Sequence, residues 1–65
     1  MKDKITVDVE ARSTVNIFDG MGVRTISVPV DQENNTIYLN QLKPGRYVIE
    51  VMGEGNRYRE HFIKE

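Results

Sequence analysis

"LNQLKPGRYVIEV", residues 39–51, decides the fold. A Pro-Gly corner runs straight into a stretch where Tyr47, Ile49 and Val51 alternate with Val48, Glu50 and Met52. Successive side chains of an extended chain point to opposite sides, so this alternation marks a strand with one buried face. Pro44 suits position i+1 of a β-turn. Gly45 suits position i+2 of a type II turn, where φ is positive. The stretch predicts a tight corner and then a strand that sends Tyr47, Ile49 and Val51 into a core.

The same signal recurs on both sides. Upstream, Ile5, Val7 and Val9 alternate with Thr6, Asp8 and Glu10. "STVNIFD" puts Val15 and Ile17 on one face and Asn16 and Phe18 on the other. "DGMG" follows, and its glycines supply residues that tolerate positive φ in a turn. "VRTISVPV" lines up Ile26, Val28 and Val30, while Pro29 lacks a ladder donor and predicts an edge strand or a strand end. After the polar loop "DQENN", Ile37 and Leu39 share a face. Downstream, "GEGN" is a second Gly-rich turn. In the closing run "RYREHFIKE", Tyr58 and Phe62 share parity with Glu60 between them, an interruption that leaves room for a bulge.

Helix periodicity and helix caps are absent from these patterns. About six short strands separated by turn chemistry imply an all-β sandwich or small barrel of antiparallel hairpins. At 65 residues the expectation is one domain, spanning 1–65. Such a domain buries only about 60% of its unfolded surface. There is no Cys, which removes disulfides and thiolate metal sites as supports. A small core with exposed strand edges favours homodimers formed by edge pairing or strand exchange.

Charge is balanced, with nine Lys and Arg against ten Asp and Glu. A whole-protein field that would gather nucleic acid is therefore not expected. Arg46, Arg57, Arg59 and Lys64 lie near Tyr47 and Tyr58, but Glu50, Glu54, Glu60 and Glu65 lie among them, and Tyr47 reads as core. Apolar runs fall short of the ~20 residues of a membrane helix, so no membrane insertion is expected. "MKDKITVDVE" has no apolar h-region of a secretory signal peptide.

Catalytic constellations are not visible. His61 is the only histidine and sits in a charged terminal run without an orienting partner. Ser13 and Ser27 fall inside strand patterns. Asp31, Glu33 and Asn34 offer oxygens but lack the spacing of a calcium loop, and read as a solvated loop. The glycine turns do not precede a helix, so no phosphate cradle is implied. The expectation is no enzyme, no metal and no cofactor.

Three segments together resemble a known family. "VNIFDGMGVRTISV", then "TIYLNQLKPGRYVIEV", then "RYREHFIKE" follow the order of the type A C-terminal sorting domain of the type IX secretion system. Gly22 matches the glycine between the first two family strands. Leu42, Gly45 and Tyr47 match its "Leu–x–x–Gly–x–Tyr" corner, and Phe62, Ile63 and Lys64 match its Lys-bearing terminal strand. The family's usual opening, a Pro-Asn-Pro-like segment and one more strand, has no counterpart at the start of this sequence. The resemblance implies a small antiparallel immunoglobulin-like β-sandwich of about six to seven short strands. It implies a non-catalytic tag read by an outer-membrane export machine, with cargo passing through the periplasm to the cell surface or the medium. On that reading His61, Phe62, Ile63 and Lys64 are the candidate recognition strand. The alternative is a structural or accessory immunoglobulin-like module of a bacterial surface protein that binds a neighbouring domain.

Overall fold

Each alternating run contains a strand. The structure, a computed structural model, describes residues 4–65. Its strands are β1 (Lys4–Thr6), β2 (Ser13–Phe18), β3 (Arg24–Val30), β4 (Thr36–Tyr38), β5 (Gly45–Gly53) and β6 (Asn56–Lys64). They form two sheets, one with the order β3-β2-β5-β6 and one with β1 beside β4. Every pairing is antiparallel. β2–β3 and β5–β6 are hairpins within the larger sheet. The links β1 to β2, β3 to β4 and β4 to β5 each change sheets. This is an all-β sandwich with the strand arrangement B–E against C′–C–F–G of the immunoglobulin fold.

The predicted faces follow from the period of two. In the larger sheet Val15 and Ile17 of β2, Ile26 and Val30 of β3, and Tyr47 and Ile49 of β5 are buried. Ile37, Leu39 and Leu42 complete the core from the β4 side. Ile5, Val7, Val9, Val28, Val51 and Phe62 pack against it half-buried. Fully burying an aliphatic or aromatic side chain stabilises by about 1.5–3 kcal/mol. Val15 and Ile17, both 0% exposed, make β2 the least replaceable strand. Pro29 lies in β3, an edge of the larger sheet, as its missing donor requires.

The β2–β3 loop shows why its glycine is needed. Gly22 N–H donates to the Asp19 carbonyl at 3.0 Å, and Asp19 N–H donates to the Val23 carbonyl at 2.9 Å. Met21 N–H and Val23 N–H both donate to Asp19 Oδ1. Asp at the first turn position and Gly22 at φ +83° are the chemistry of a type I turn closed by a left-handed residue. A Cβ on Gly22 would meet nothing within 4 Å, so only the backbone angle demands glycine.

The corner in the opening stretch differs from the expected type II turn. The turn hydrogen bond lies earlier, from Leu42 N–H to the Leu39 carbonyl at 3.0 Å. Gly45 has φ +153°, far from the ~+80° of a type II turn. It opens β5 in a mirror-β conformation that only glycine adopts readily. The cause is geometric: between sheets the chain must change direction while extended, so it spreads the corner over residues 39–45. The last strand carries no bulge at Glu60. β6 pairs with β5 without interruption from Gly45↔Lys64 to Gly53↔Asn56, and the register shift falls instead between β2 and β3, at Ile17/Phe18. Glu60 needs no bulge, because the surface it faces is open.

Candidate recognition surface

Tyr47 organises the end of the sandwich. Its hydroxyl donates to the Lys43 carbonyl at 2.5 Å, four residues upstream. This is the tyrosine corner of immunoglobulin-like sandwiches, in which a tyrosine at the start of strand F ties back the incoming loop. Its ring stacks on Phe62, opposite it on β6, with centroids 5.6 Å apart and planes at 22°. Leu42, Gly45 and Tyr47 thus work together. Leu42 is buried in the core, Gly45 supplies the bend, and Tyr47 fastens the loop on one side and the last strand on the other. Gly22 lies apart from them in sequence, in the β2–β3 loop.

β6 is an edge. Among the described residues its only neighbour in the larger sheet is β5. Its side chains divide by parity. His61 and Ile63 lie on the outer face, opposite Val48 and Arg46, and both are exposed. Phe62 and Lys64 turn to the inner face. Phe62 is half-buried against Tyr47, and Lys64 is buried at 8% exposure opposite Gly45, its Nζ donating to the Glu65 carbonyl at 3.3 Å. The four residues of the terminal motif therefore do not share one exposed patch.

Tyr58 and Glu60 have inner-face parity, opposite Val51 and Ile49, yet both are exposed. The two-stranded sheet is too narrow to cover β6 there. The result is an open flank lined by Ile5, Val7, Ile49, Val51, Tyr58 and Glu60, about 360 Å³ in volume. Tyr58 OH donates to Glu60 Oε2 at 2.7 Å. That hydrogen bond to a carboxylate favours the neutral phenol and raises the Tyr58 pKa above its usual value.

On the outer face the surprise is burial of polar groups. Asn16 is 7% exposed and Glu50 is 6% exposed, although both point away from the core. They are opposite each other in the β2–β5 pairing. Arg59, opposite Glu50 on β6, puts Nη2 at 3.0 Å from Glu50 Oε2, and Arg57 Nε is 3.9 Å from the same oxygen. These side chains cover the central strands. Asn16 Oδ1 is buried with no hydrogen-bond partner, and its amide nitrogen reaches only Met52 Sδ at 3.9 Å. The Glu50–Arg59 pair was readable in principle. Both residues are equidistant from the two-residue loop Glu54–Gly55, so a tight hairpin there sets them opposite.

The "DQENN" loop uses its acid as a cap. Asp31 Oδ1 accepts N–H from Glu33 at 2.9 Å and from Asn34 at 2.7 Å. The Asn34 and Glu33 backbone bonds hold the Asp31 pKa below its usual value. Among the described residues no group of three His, Cys, Asp or Glu side chains is placed to hold a metal ion. No helix among them is long and apolar enough to cross a membrane.

Comparison with known proteins meets this geometry at one point. A family model, Por_Secre_tail, described as a secretion system C-terminal sorting domain, matches residues 1–65. The chain belongs to this family. It is therefore a sorting signal of the type IX secretion system, and its cargo is exported to the cell surface or secreted. Sorting domains act through contact with secretion machinery, and the family is in general non-enzymatic. No curated protein matches the chain, and no solved structure does. For a sorting domain the features above take on a division of labour. The corner motif builds the end of the sandwich, and the last strand lies on its rim.

Proposed function

We propose that the 65 residues act as one sandwich domain whose last strand is the part read by the export machine. The observation that carries this is the position of β6 at the edge of the larger sheet, beside the open flank. An edge strand offers free backbone donors and acceptors for strand addition by a partner. His61 and Ile63 would be read from the outer face. Phe62 and Lys64 would act from within, holding the strand in register. On this reading the domain acts by contact, as its family does in general. Cargo carrying it passes through the periplasm before this step. The same edge lets two copies pair as a homodimer at high concentration. A monomeric mass at millimolar protein by sedimentation would exclude the dimer.

The test is a reporter with a Sec signal peptide and this domain at its C-terminus, in a host with type IX secretion. The reporter should reach the surface or the medium. Deleting Phe62–Glu65 should leave it in the periplasm. Retention of the intact fusion in the periplasm would refute the reading. So would continued export after the deletion. Because the deletion also removes the Tyr47 stacking partner, an exposed substitution, Ile63→Asp, serves as a second variant that leaves the core untouched.

A further inference from the structure

The sequence is nearly neutral, but its charges are not evenly placed. Register puts Arg46 of β5 and Arg57, Arg59 and His61 of β6 on the outer face of the larger sheet. Among the described residues the only carboxylate that register places with them is Glu50, buried beneath Arg59 and Arg57. One buried carboxylate cannot neutralise three guanidinium groups. Among the described residues Arg46 makes no ion pair at all, and its side chain is exposed.

This charge borders a concavity. A cleft of about 500 Å³ lies across β2, β5 and β6, lined by Phe18, Asp19, Arg46, Val48, Arg59 and His61. Its floor is apolar, since Phe18 and Val48 are half-buried and opposite each other in the β2–β5 pairing. The β2–β3 loop forms one wall, and Asp19 there is already committed to two loop N–H groups through Oδ1. Exposed apolar side chains lie on the same elements: Met21 in the loop at 89% exposure, and Ile63 opposite Arg46 at 68%.

We propose that this cleft binds a peptide segment in which acidic side chains flank an apolar one. The guanidinium groups of Arg46 and Arg59 take the carboxylates, Arg being suited to paired donation to carboxylate oxygens. Phe18 and Val48 take the apolar side chain. A protein segment fits better than a polyanion. The floor is apolar, no exposed tyrosine or phenylalanine lines the cleft to stack bases, and the Asp19 and Glu50 carboxylates would oppose a continuous run of negative charge. The site lies on the face of the sheet, whereas strand addition uses the edge of β6. The two ideas can therefore fail separately.

The experiment uses the 65-residue chain and a fluorescein-labelled peptide with two aspartates flanking a leucine, read by anisotropy. Binding should weaken at least tenfold when the aspartates become asparagines, and again with Arg46→Gln. It should fall with added salt. Folding of Arg46→Gln is checked by circular dichroism, and His61→Gln provides a second exposed variant expected to weaken binding less. A backbone N-methylated version of the peptide should still bind. Loss of binding on N-methylation would replace the cleft with edge pairing. Equal binding of the asparagine peptide, or no effect of Arg46→Gln, would overturn the proposal. Binding of a sulfated polysaccharide in place of the peptide would do the same.

Discussion

Tyr47→Phe isolates what the corner hydroxyl contributes. The substitution removes one oxygen and keeps the ring, so the stack on Phe62 and the burial in the core persist. What is lost is the bond from the hydroxyl to the Lys43 carbonyl. A net intramolecular hydrogen bond contributes about 0.5–1.5 kcal/mol, and stranding a buried partner adds about 1–3 kcal/mol. Lys43 is an exposed residue and the bond is only part-buried, so the expectation rests on the first figure. The expected loss is therefore about 1 kcal/mol. For a domain of this size that corresponds to a fall in Tm of about 4–8 °C. Thermal melts by circular dichroism, with urea titration to confirm an unchanged m-value, measure it. Tyr47→Ala, which also empties the ring's site, should cost about 3–5 kcal/mol and approach the whole stability of a small domain. A Tyr47→Phe melt within ~1 °C of the parent would refute the corner as a fastening. A loss as large as that of Tyr47→Ala would show that the hydroxyl supports more than one loop.

Gly22→Ala should cost about 1–2 kcal/mol by urea unfolding, purely from the left-handed backbone, since the added Cβ has free space. Gly45→Val should cost about 1–3 kcal/mol, because φ +153° is closed to a β-branched residue; an unchanged Tm would mean the corner relaxes to a different path. Asp31 has a folded pKa below its ordinary value of 3.8, so its stabilising effect is complete above that pH and disappears as pH falls through the lower folded value. Asp31→Ala should accordingly lower Tm at pH 7 and bring parent and variant together towards pH 2, and a constant gap across that range would count against the cap. Glu50→Gln should destabilise by about 1–2 kcal/mol, discounted for the exposure of Arg59 and Arg57, and high salt should narrow the difference.

Strand content, inward faces and turn positions were legible because each depends on a few neighbouring residues. Val15 and Ile17, or Tyr47 and Ile49, declare their shared face through a spacing of two. Asp19 and Gly22 declare their loop through local backbone needs. The motif Leu42, Gly45 and Tyr47 was legible as a family label for the same reason, although its geometry was not: a corner between two sheets depends on where the second sheet lies. The terminal segment His61 to Lys64 was readable as a strand, but not as two exposed and two inward-turned side chains.

The sequence by itself determined an all-β chain of six strands, the side chains that fill its core and the family to which it belongs. Tertiary structure decided that β6 is the second edge of the larger sheet, why Asn16 and Glu50 are buried on the outer face, and that Arg46, Arg57 and Arg59 gather on a single surface. The physical reason is range. Periodicity and turn chemistry act over a few residues and leave their mark in the string. Strand order, sheet width and the summing of charge arise from pairings between distant segments, and a net charge of −1 does not record them.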